Sequence, residues 1–191
     1  DSWSKLRIYD ATTLAEIDIL DLDTFATSMI VDESGGKLFA AMNNEQKVAV
    51  INAATGEFLH YLTGHYPNKP ILLIDEGLGK LYIMPSTFNT YGLYQVDIAT
   101  EVETYIPGFD SGAYEALALN AVTHELFLPN YGGNEMSVVD GVTLATSVVP
   151  DLGAIEVGVN WNENKVCTIY PMRVYDRDTG VITPLAAGND A

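Results

Sequence analysis

A short motif recurs four times along this chain and constrains its fold more than any other feature. In each copy an apolar run ends in Asp or Asn, and a Lys or Glu follows five residues later. An aliphatic residue and then an aromatic residue or Cys come next. The copies are Asp32 to Lys37-Leu38-Phe39, Asp75 to Lys80-Leu81-Tyr82, Asn120 to Glu125-Leu126-Phe127, and Asn160 to Lys165-Val166-Cys167. Their Lys or Glu positions are 43, 45 and 40 residues apart, a period that predicts a repeat fold.

A second motif runs in phase with the first. In each copy an Asp or Asn opens a Thr- or Gly-containing turn between two apolar runs. The opening residues are Asp10, Asn52, Asp97, Asp140 and Asp176, at intervals of 42, 45, 43 and 36 residues. The side-chain oxygen of such a residue can accept a hydrogen bond from the backbone two residues on and hold the turn. This motif therefore predicts a β-hairpin, and the first motif predicts the hairpin before it.

Together the two motifs give four strands per period, which we call a to d. In the second repeat the expected strands are Thr27–Val31, Lys37–Met42, Lys47–Ile51 and Glu57–Leu62. One such sheet cannot bury its apolar face alone, whereas sheets packed around an axis bury one another. We therefore predict an all-β chain that forms a single β-propeller domain over residues 1–191, with four-stranded antiparallel blades. The expected repeats are an N-terminal c–d hairpin at 5–22 and four complete blades at 26–64, 68–108, 114–150 and 153–188.

The N-terminal hairpin has no a or b strand before it, so closure of a ring has three solutions. The chain is a fragment of a longer propeller, or two chains complete each other, or the hairpin covers an irregular last blade. We favour a fragment or processed product, because an open array would expose the edges and apolar faces of its end blades, which soluble proteins avoid. The start at Asp1, without an initiator Met or signal peptide, also predicts a mature or trimmed chain.

Two phrases carry a family resemblance, Asp75-Glu-Gly-Leu-Gly-Lys-Leu-Tyr-Ile83 and Val48-Ala-Val-Ile-Asn-Ala-Ala-Thr-Gly-Glu57. They resemble the YVTN-type repeats of surface-layer and secreted propellers, and the wider NHL and lactonase-like group, over residues 5 to about 188. The Tyr-Val-Thr-Asn signature itself is only echoed, by Phe39-Ala-Ala-Met-Asn43 and Phe127-Leu-Pro-Asn130. The resemblance implies a secreted, periplasmic or cell-surface protein. It also implies metal-assisted hydrolysis as a candidate activity, because lactonase-like propellers use a channel cation to polarise a lactone carbonyl.

Charge narrows the classes of partner. The net charge is −17, with only 9 Lys and Arg against 26 Asp and Glu. Such a surface repels nucleic acid, because affinity for phosphates comes from Lys and Arg. It attracts cations and basic proteins, although high charge also serves solubility alone. No apolar run reaches 18 residues, so we expect no membrane span.

Candidate site residues lie in the d–a and b–c loops, which share one face in propellers. Aromatic and amide side chains there suit recognition of a protein or a glycan. The candidates for binding are His65, Tyr66, Phe88, Tyr91, Asp110, Tyr114 and Tyr131. Asp110, Glu115, Asp151 and Glu156 could converge on a Ca²⁺ ion at the channel mouth, although no known ligand spacing is present. Cys167 shares the position of Phe39, Tyr82 and Phe127, so we expect it to be buried in strand b.

The leading hypothesis is a non-enzymatic binding or scaffold module outside the cytoplasm, presenting these loops to a protein or glycan. A metal-assisted, lactonase-like hydrolase working in the central channel is the first alternative. The second is a propeller subunit of a larger surface or redox complex, in which partner chains supply the chemistry or the missing blades. The sequence carries no Ser-His-Asp order, haem motif, phosphate loop or zinc spacing.

Overall fold

The computed structural model of this chain describes residues 5–10, 12–22, 24–43, 45–62, 64, 66, 70–84, 92–107, 109, 116–130 and 132–185. Within these ranges no residue is helical, and 18 strands form one two-stranded hairpin and four four-stranded antiparallel sheets. The prediction of an all-β chain with four complete four-stranded repeats and an N-terminal hairpin is thereby confirmed. Each sheet is a meander, in which strands adjacent in sequence are hydrogen-bonded neighbours.

The strands follow the two sequence motifs closely. The hairpin consists of β1 (Lys5–Tyr9) and β2 (Glu16–Asp21). The first sheet contains β3 (Ala26–Asp32), β4 (Lys37–Met42), β5 (Val48–Asn52) and β6 (Phe58–Tyr61). The second contains β7 (Ile71–Asp75), β8 (Lys80–Met84), β9 (Leu93–Asp97) and β10 (Glu103–Ile106). The third contains β11 (Ala118–Asn120), β12 (Glu125–Asn130), β13 (Glu135–Asp140) and β14 (Thr146–Pro150). The fourth contains β15 (Glu156–Asn160), β16 (Lys165–Ile169), β17 (Arg173–Asp176) and β18 (Ile182–Pro184).

Turn chemistry fixes where the c–d hairpins reverse. Asp140 Oδ1 accepts hydrogen bonds from the backbone N–H groups of Val142 (2.9 Å) and Thr143 (2.8 Å). Asn52 does the same for Ala54 and Thr55 with its amide oxygen. These are the bonds that the Asp- or Asn-led turn motif predicts. His124, the residue before β12, has a φ of 59° and donates its N–H to the carbonyl of Asn120, as expected of a turn residue.

Two compact units divide the chain, Asp1–Pro85 with Tyr94–Thr104 and Ser86–Leu93 with Tyr105–Ala191. In the first unit the sheet β3–β6 is buried on both faces. Phe39, Ala41, Val48 and Val50 pack against the sheet that contains β7 and β8. On the opposite face, Ala40, Met42, Ala49 and Ile51 pack against Leu6 and Leu20 of the hairpin. Burial on both faces explains why β4 and β5 are continuously apolar and do not alternate.

The second unit repeats this arrangement with the sheets β11–β14 and β15–β18. Phe127, Met136 and Val138 pack against Val166 and Tyr175 of the following sheet. In both units the first strands of consecutive sheets lie side by side, β3 beside β7 and β11 beside β15. Within each unit the sheets therefore stack face to face with neighbouring a strands, as blade-like repeats require.

Candidate functional site

Most loop residues that the sequence predicts as a binding surface lie outside the described residues. These are His65, Phe88, Tyr91, Asp110, Tyr114 and Tyr131, together with the predicted metal ligand Glu115. Tyr66, Asp151 and Glu156 are described, and their surroundings can be compared with the predictions. Among the described residues, other features that could serve a function include turn carboxylates, ion pairs and exposed sheet faces.

Tyr66 is part of the core and is not exposed on a loop. Its side chain is only 1% exposed and packs edge-on against the ring of Tyr94, with 5.4 Å between ring centroids. Burial raises the pKa of the Tyr66 hydroxyl, and its hydrogen bond with Glu103 raises that pKa further. Gly64 permits this packing, because a Cβ there would lie 2.5 Å from the Tyr66 ring. A ring in this position is not available to stack on a sugar or a peptide.

Asp151 and Glu156 are both exposed in the second unit, but they have different surroundings. The Asp151 carboxylate accepts a hydrogen bond from Asn134 Nδ2 (3.1 Å), and its carbonyl accepts one from Arg173 Nη1. Glu156 opens β15, opposite Ile169 of β16. Among the described residues, no group of three or more His, Cys, Asp or Glu side chains is arranged to hold a metal ion. The predicted Ca²⁺ ligands Asp110 and Glu115 lie outside those residues.

The turn carboxylates are held in their ionised form by the turns that they close. The backbone N–H of Thr13 lowers the pKa of Asp10, and that of Thr143 lowers the pKa of Asp140. The Thr179 N–H does the same for Asp176. For Asp97 the largest cause of the lowered pKa is its bond with Lys80, at 2.6 Å from Nζ to Oδ2. A carboxylate stabilised in this way is a turn element and is poorly suited to proton transfer at neutral pH.

An ion-pair cluster links two consecutive sheets of the first unit. Lys37 Nζ, at the start of β4, donates to the carbonyl of Ile98 (2.9 Å) and to Glu101 Oε1 (3.0 Å). The other oxygen of Glu101 lies 2.7 Å from His60 Nε2. Burial raises the pKa of Glu101, but the hydrogen bonds from Lys37 and His60 outweigh burial and lower it overall. The cluster therefore ties the sheet β3–β6 to the turn between β9 and β10.

The second unit has a corresponding contact, but here the acidic residue lies on the b strand and the basic residue lies on the c–d turn. Glu125, at the start of β12, accepts hydrogen bonds from Arg177 Nη2 (2.6 Å) and Nε (3.1 Å) in the turn between β17 and β18. This bidentate bond raises the pKa of the Arg177 guanidinium. Glu125 and Lys37 share one repeat position, and Arg177 and Ile98 share another. The same connection between a b strand and the next c–d turn is thus made twice with different chemistry.

Nearly all of the basic side chains are engaged within the chain. Of the 9 Lys and Arg residues, 8 lie in the described part, and 7 of these form ion pairs with Asp or Glu. The eighth, Arg173, donates to a backbone carbonyl. Because the chain has 26 Asp and Glu residues and only 9 Lys and Arg residues, the electrostatic potential at its surface is strongly negative. Such a surface favours a partner that brings its own positive charge.

The outer face of the last sheet, β15–β18, departs from the sequence prediction. Cys167 was expected to be buried because it shares a repeat position with Phe39 and Phe127, which are fully buried. In the structure Cys167 is exposed. Phe39 and Phe127 are covered by the sheet that follows each of them, whereas no described sheet follows β15–β18. The prediction that Cys167 is buried was therefore wrong because no described sheet covers this face, and not because of the chemistry of the cysteine side chain.

This outer face contains a shallow depression of about 630 Å³. Its lining includes the apolar or sulfur-bearing side chains Cys167, Val174 and Leu185 and the charged side chains Lys165 and Asp176. Lys165 pairs with Glu163 at 2.8 Å, so its charge is balanced within the same sheet. The depression is thus lined by apolar and polar side chains together, and the Lys165–Glu163 ion pair is part of that lining. In the sequence, the feature that points to this depression is the position of Cys167 in the final repeat.

Comparison with known protein families and with characterised proteins finds no match for this chain. In the described residues, no helix has the length and apolar character needed to cross a membrane. The architecture and the charge distribution therefore carry the functional argument.

Proposed function

We propose that this chain is a β-propeller-type binding or scaffold module outside the cytoplasm, similar to the YVTN and NHL repeat group. It presents its d–a and b–c loops to a protein or glycan partner. The face-to-face sheets with adjacent a strands support the propeller architecture, since blades bury one another in that way. The loops that join these sheets vary in length and sequence, as recognition loops on a rigid scaffold do.

One observation carries the binding function. Every described Lys and Arg is engaged within the chain, which leaves a large excess of carboxylates facing solvent. The turn carboxylates with lowered pKa values stay ionised well below neutral pH, so this charge persists in acidic surroundings. A polyanionic surface attracts a partner with a basic surface and increases its association rate. The preferred partner is therefore a protein with exposed Lys and Arg.

Biolayer interferometry on the immobilised chain tests this proposal. The probes are an oligolysine of about 20 residues, an oligoglutamate of equal length, and chitin- and cellulose-derived oligosaccharides. We expect oligolysine to bind and oligoglutamate not to bind, with affinity falling as salt shortens the Debye length from about 10 Å at 0.1 M to about 3 Å at 1 M. If oligolysine and oligoglutamate give the same response, the electrostatic argument fails.

Loop recognition is tested separately by a triple variant, Phe88→Ala with Tyr91→Ala and Tyr131→Ala. Its matched control removes two exposed side chains from turns at the other end of the strands, Val122→Ala with Val142→Ala. We expect the loop variant to lose binding to a glycan or protein probe that the parent chain recognises, and the control to keep it. Equal binding by both variants would exclude the loops as the recognition surface.

A further inference from the structure

Asp32, the last residue of β3, is a buried carboxylate of which only one oxygen is satisfied. The residue is 1% exposed. Its Oδ1 accepts hydrogen bonds from the Ser34 hydroxyl (2.7 Å) and the Ser34 backbone N–H (3.1 Å). Its Oδ2 is also buried and has no hydrogen-bond partner among the described residues. Burial raises the pKa of Asp32, but hydrogen bonds, first of all from the Ser34 hydroxyl, lower it overall, so the group is ionised at neutral pH. A buried, ionised oxygen without a partner calls for a compensating positive charge.

A second carboxyl group approaches Asp32 from the neighbouring sheet. Glu76, which follows β7, accepts a hydrogen bond from the backbone N–H of Glu33 at 3.0 Å. Its carboxyl group also lies within hydrogen-bonding reach of Asp32. Because an ionised carboxylate has no proton to donate, the two groups repel each other when both are charged. A cation bound by both would replace this repulsion with a link between the sheets β3–β6 and β7–β10.

Asp32 also lines a cavity of about 390 Å³ in the first unit. Gly79, directly before β8, and Ala99, in the turn between β9 and β10, are part of the same lining. A Cβ at Gly79 would meet no atom within 4 Å, so there is open space beside this residue. Gly35 lines the cavity as well, and a Cβ there would collide with Asp32 Oδ2. The glycines therefore leave room for a small ligand beside the unpartnered oxygen.

In the second unit, side chains of the chain itself occupy the equivalent region. Asn120 holds the repeat position of Asp32 and closes its turn in the same way, through Oδ1. Its Nδ2 donates to Asn164 Oδ1 at 2.9 Å, and Asn164 Nδ2 donates to Asp178 Oδ1 at 2.6 Å. The atom that corresponds to Asp32 Oδ2 is thus a donor, and the following sheet supplies its acceptor.

The first unit lacks both of the side chains that complete this network. Gly79 holds the repeat position of Asn164, because each directly precedes a b strand, and Ala99 holds that of Asp178 in the c–d turn. By this correspondence Asp32 Oδ2 faces the cavity, where it presents an acceptor and the following sheet offers no donor. The partner that this oxygen requires must therefore come from outside the chain.

The charges around the cavity identify the class of ligand. Lys37 lines the cavity but pairs with Glu101 at 3.0 Å, and Lys80 pairs with Asp97 at 2.6 Å. The negative charges of Asp32 and Glu76 are therefore not balanced by these lysines. We propose that Asp32 and Glu76 bind a divalent cation, for which Ca²⁺ is the best match, and that the ion ties the two sheets of the first unit together.

Ca²⁺ suits this site because it binds carboxylate, carbonyl and water oxygens in flexible geometry. The site has two carboxylates and not three, so backbone and water oxygens must complete the coordination. Its affinity is accordingly modest, with a Kd on the order of 1 mM, as in extracellular calcium modules. The site uses none of the residues that the sequence predicts as Ca²⁺ ligands, and it is independent of the proposed binding function.

Thermal unfolding in CaCl₂ from about 0.1 to about 10 mM tests the proposal, with NaCl keeping the ionic strength equal in all samples. A ligand that binds only the folded chain raises the unfolding midpoint once its concentration exceeds Kd. For a Kd of about 1 mM, about 10 mM Ca²⁺ should raise the midpoint of the parent chain by roughly 3–6 °C. Equal ionic strength removes the general screening of the acidic surface from this comparison.

Three variants distinguish this site from other carboxylates. Asp32→Asn keeps an acceptor for Ser34 but removes the charge, so it should unfold at or above the parent midpoint without Ca²⁺ and lose the Ca²⁺-dependent rise. Gly79→Asn places the side chain of Asn164 beside Asp32, at a φ of 62° that Asn tolerates, and should also reduce the rise. Asp140→Asn removes one charge from a turn of the second unit and should keep the full rise.

Three results would overturn the proposal. The first is an equal Ca²⁺ response in Asp32→Asn and the parent, which would place the ion elsewhere on the acidic surface. The second is an Asp32→Asn midpoint well below that of the parent without Ca²⁺, because the carboxylate would then already be satisfied. The third is a parent without a Ca²⁺ response. If its midpoint instead rises from pH 7 to about pH 5 and that of Asp32→Asn does not, Asp32 and Glu76 share a proton and no metal.

Discussion

Two substitutions at one repeat position measure how much the sheet that follows contributes to stability. Phe127 and Cys167 both lie third along a b strand, in β12 and β16. The Phe127 side chain is fully buried against the sheet β15–β18, whereas Cys167 is exposed on the outer face of that sheet. Truncation to Ala therefore removes side chains at equivalent repeat positions. Phe127→Ala does so on a covered face, and Cys167→Ala does so on an open face.

The expected free-energy changes differ severalfold. A buried Phe removes roughly 150–250 Å² from water, worth about 4–6 kcal/mol at about 25 cal/mol per Å². Measured Phe→Ala changes in cores cost about 3–5 kcal/mol, so we expect Phe127→Ala to destabilise the second unit by about 4 kcal/mol. Cys167→Ala loses little contact and should change stability by at most about 0.5 kcal/mol.

Urea unfolding followed by circular dichroism and tryptophan fluorescence provides the assay. The chain concentration is kept near 1 µM. Because the chain has two compact units, separate transitions are fitted if the two probes do not coincide. A loss of more than about 1.5 kcal/mol in Cys167→Ala, or less than about 1 kcal/mol in Phe127→Ala, would refute the assignment of covered and open faces.

Three further predictions concern turns, ion pairs and close packing. Asp140→Ala should cost about 1 kcal/mol at pH 7, since two backbone N–H groups lose their acceptor. Asp140→Asn should instead match the parent chain at neutral pH and lose less stability below about pH 4. Because the pKa of Asp140 is lower in the folded chain than in the unfolded chain, the ionised carboxylate stabilises the fold at pH values above the unfolded pKa of about 3.9. This contribution disappears as the pH falls through the folded pKa. Arg177→Met should cost about 1–2 kcal/mol by leaving Glu125 without its bidentate donor, and a midpoint unchanged in urea would contradict this. Gly153→Ala should destabilise the chain measurably, because its Cβ would lie 2.5 Å from a backbone carbonyl oxygen, whereas Gly158→Ala meets no atom within 4 Å and serves as the control. Thermal unfolding compares the two glycine variants.

The repeat architecture was predictable because it rests on local chemistry. The Asp- or Asn-led turns form the hydrogen bonds that their sequence implies, as Asn52 and Asp140 show. The b strand Lys37–Met42 begins and ends at the predicted residues. These features depend on residues within one hairpin, and the strand period and the turn motif each constrain them independently.

The environment of particular side chains was less predictable, because it depends on residues far away in the sequence. Cys167 is exposed although its repeat position is a core position, since burial there requires a following sheet. Tyr66 sits in a polar loop sequence, yet Gly64 and Glu103 give its ring and hydroxyl a place in the core. The pairing of Lys37 with Glu101 spans 64 residues, and no local pattern encodes it. A repeat alignment identifies equivalent positions, but the neighbouring sheet decides what covers them.

The reactivity of the single cysteine tests the open face most directly. Cys167 is the only thiol in the chain, so a colourimetric disulfide reagent reports on one site without ambiguity. At about 1 µM native chain, we predict a labelling rate within about tenfold of the rate in urea, as for an accessible thiol. A native rate slower by about a thousandfold or more would mean that Cys167 is reached only through unfolding, and that the face of the last sheet is covered.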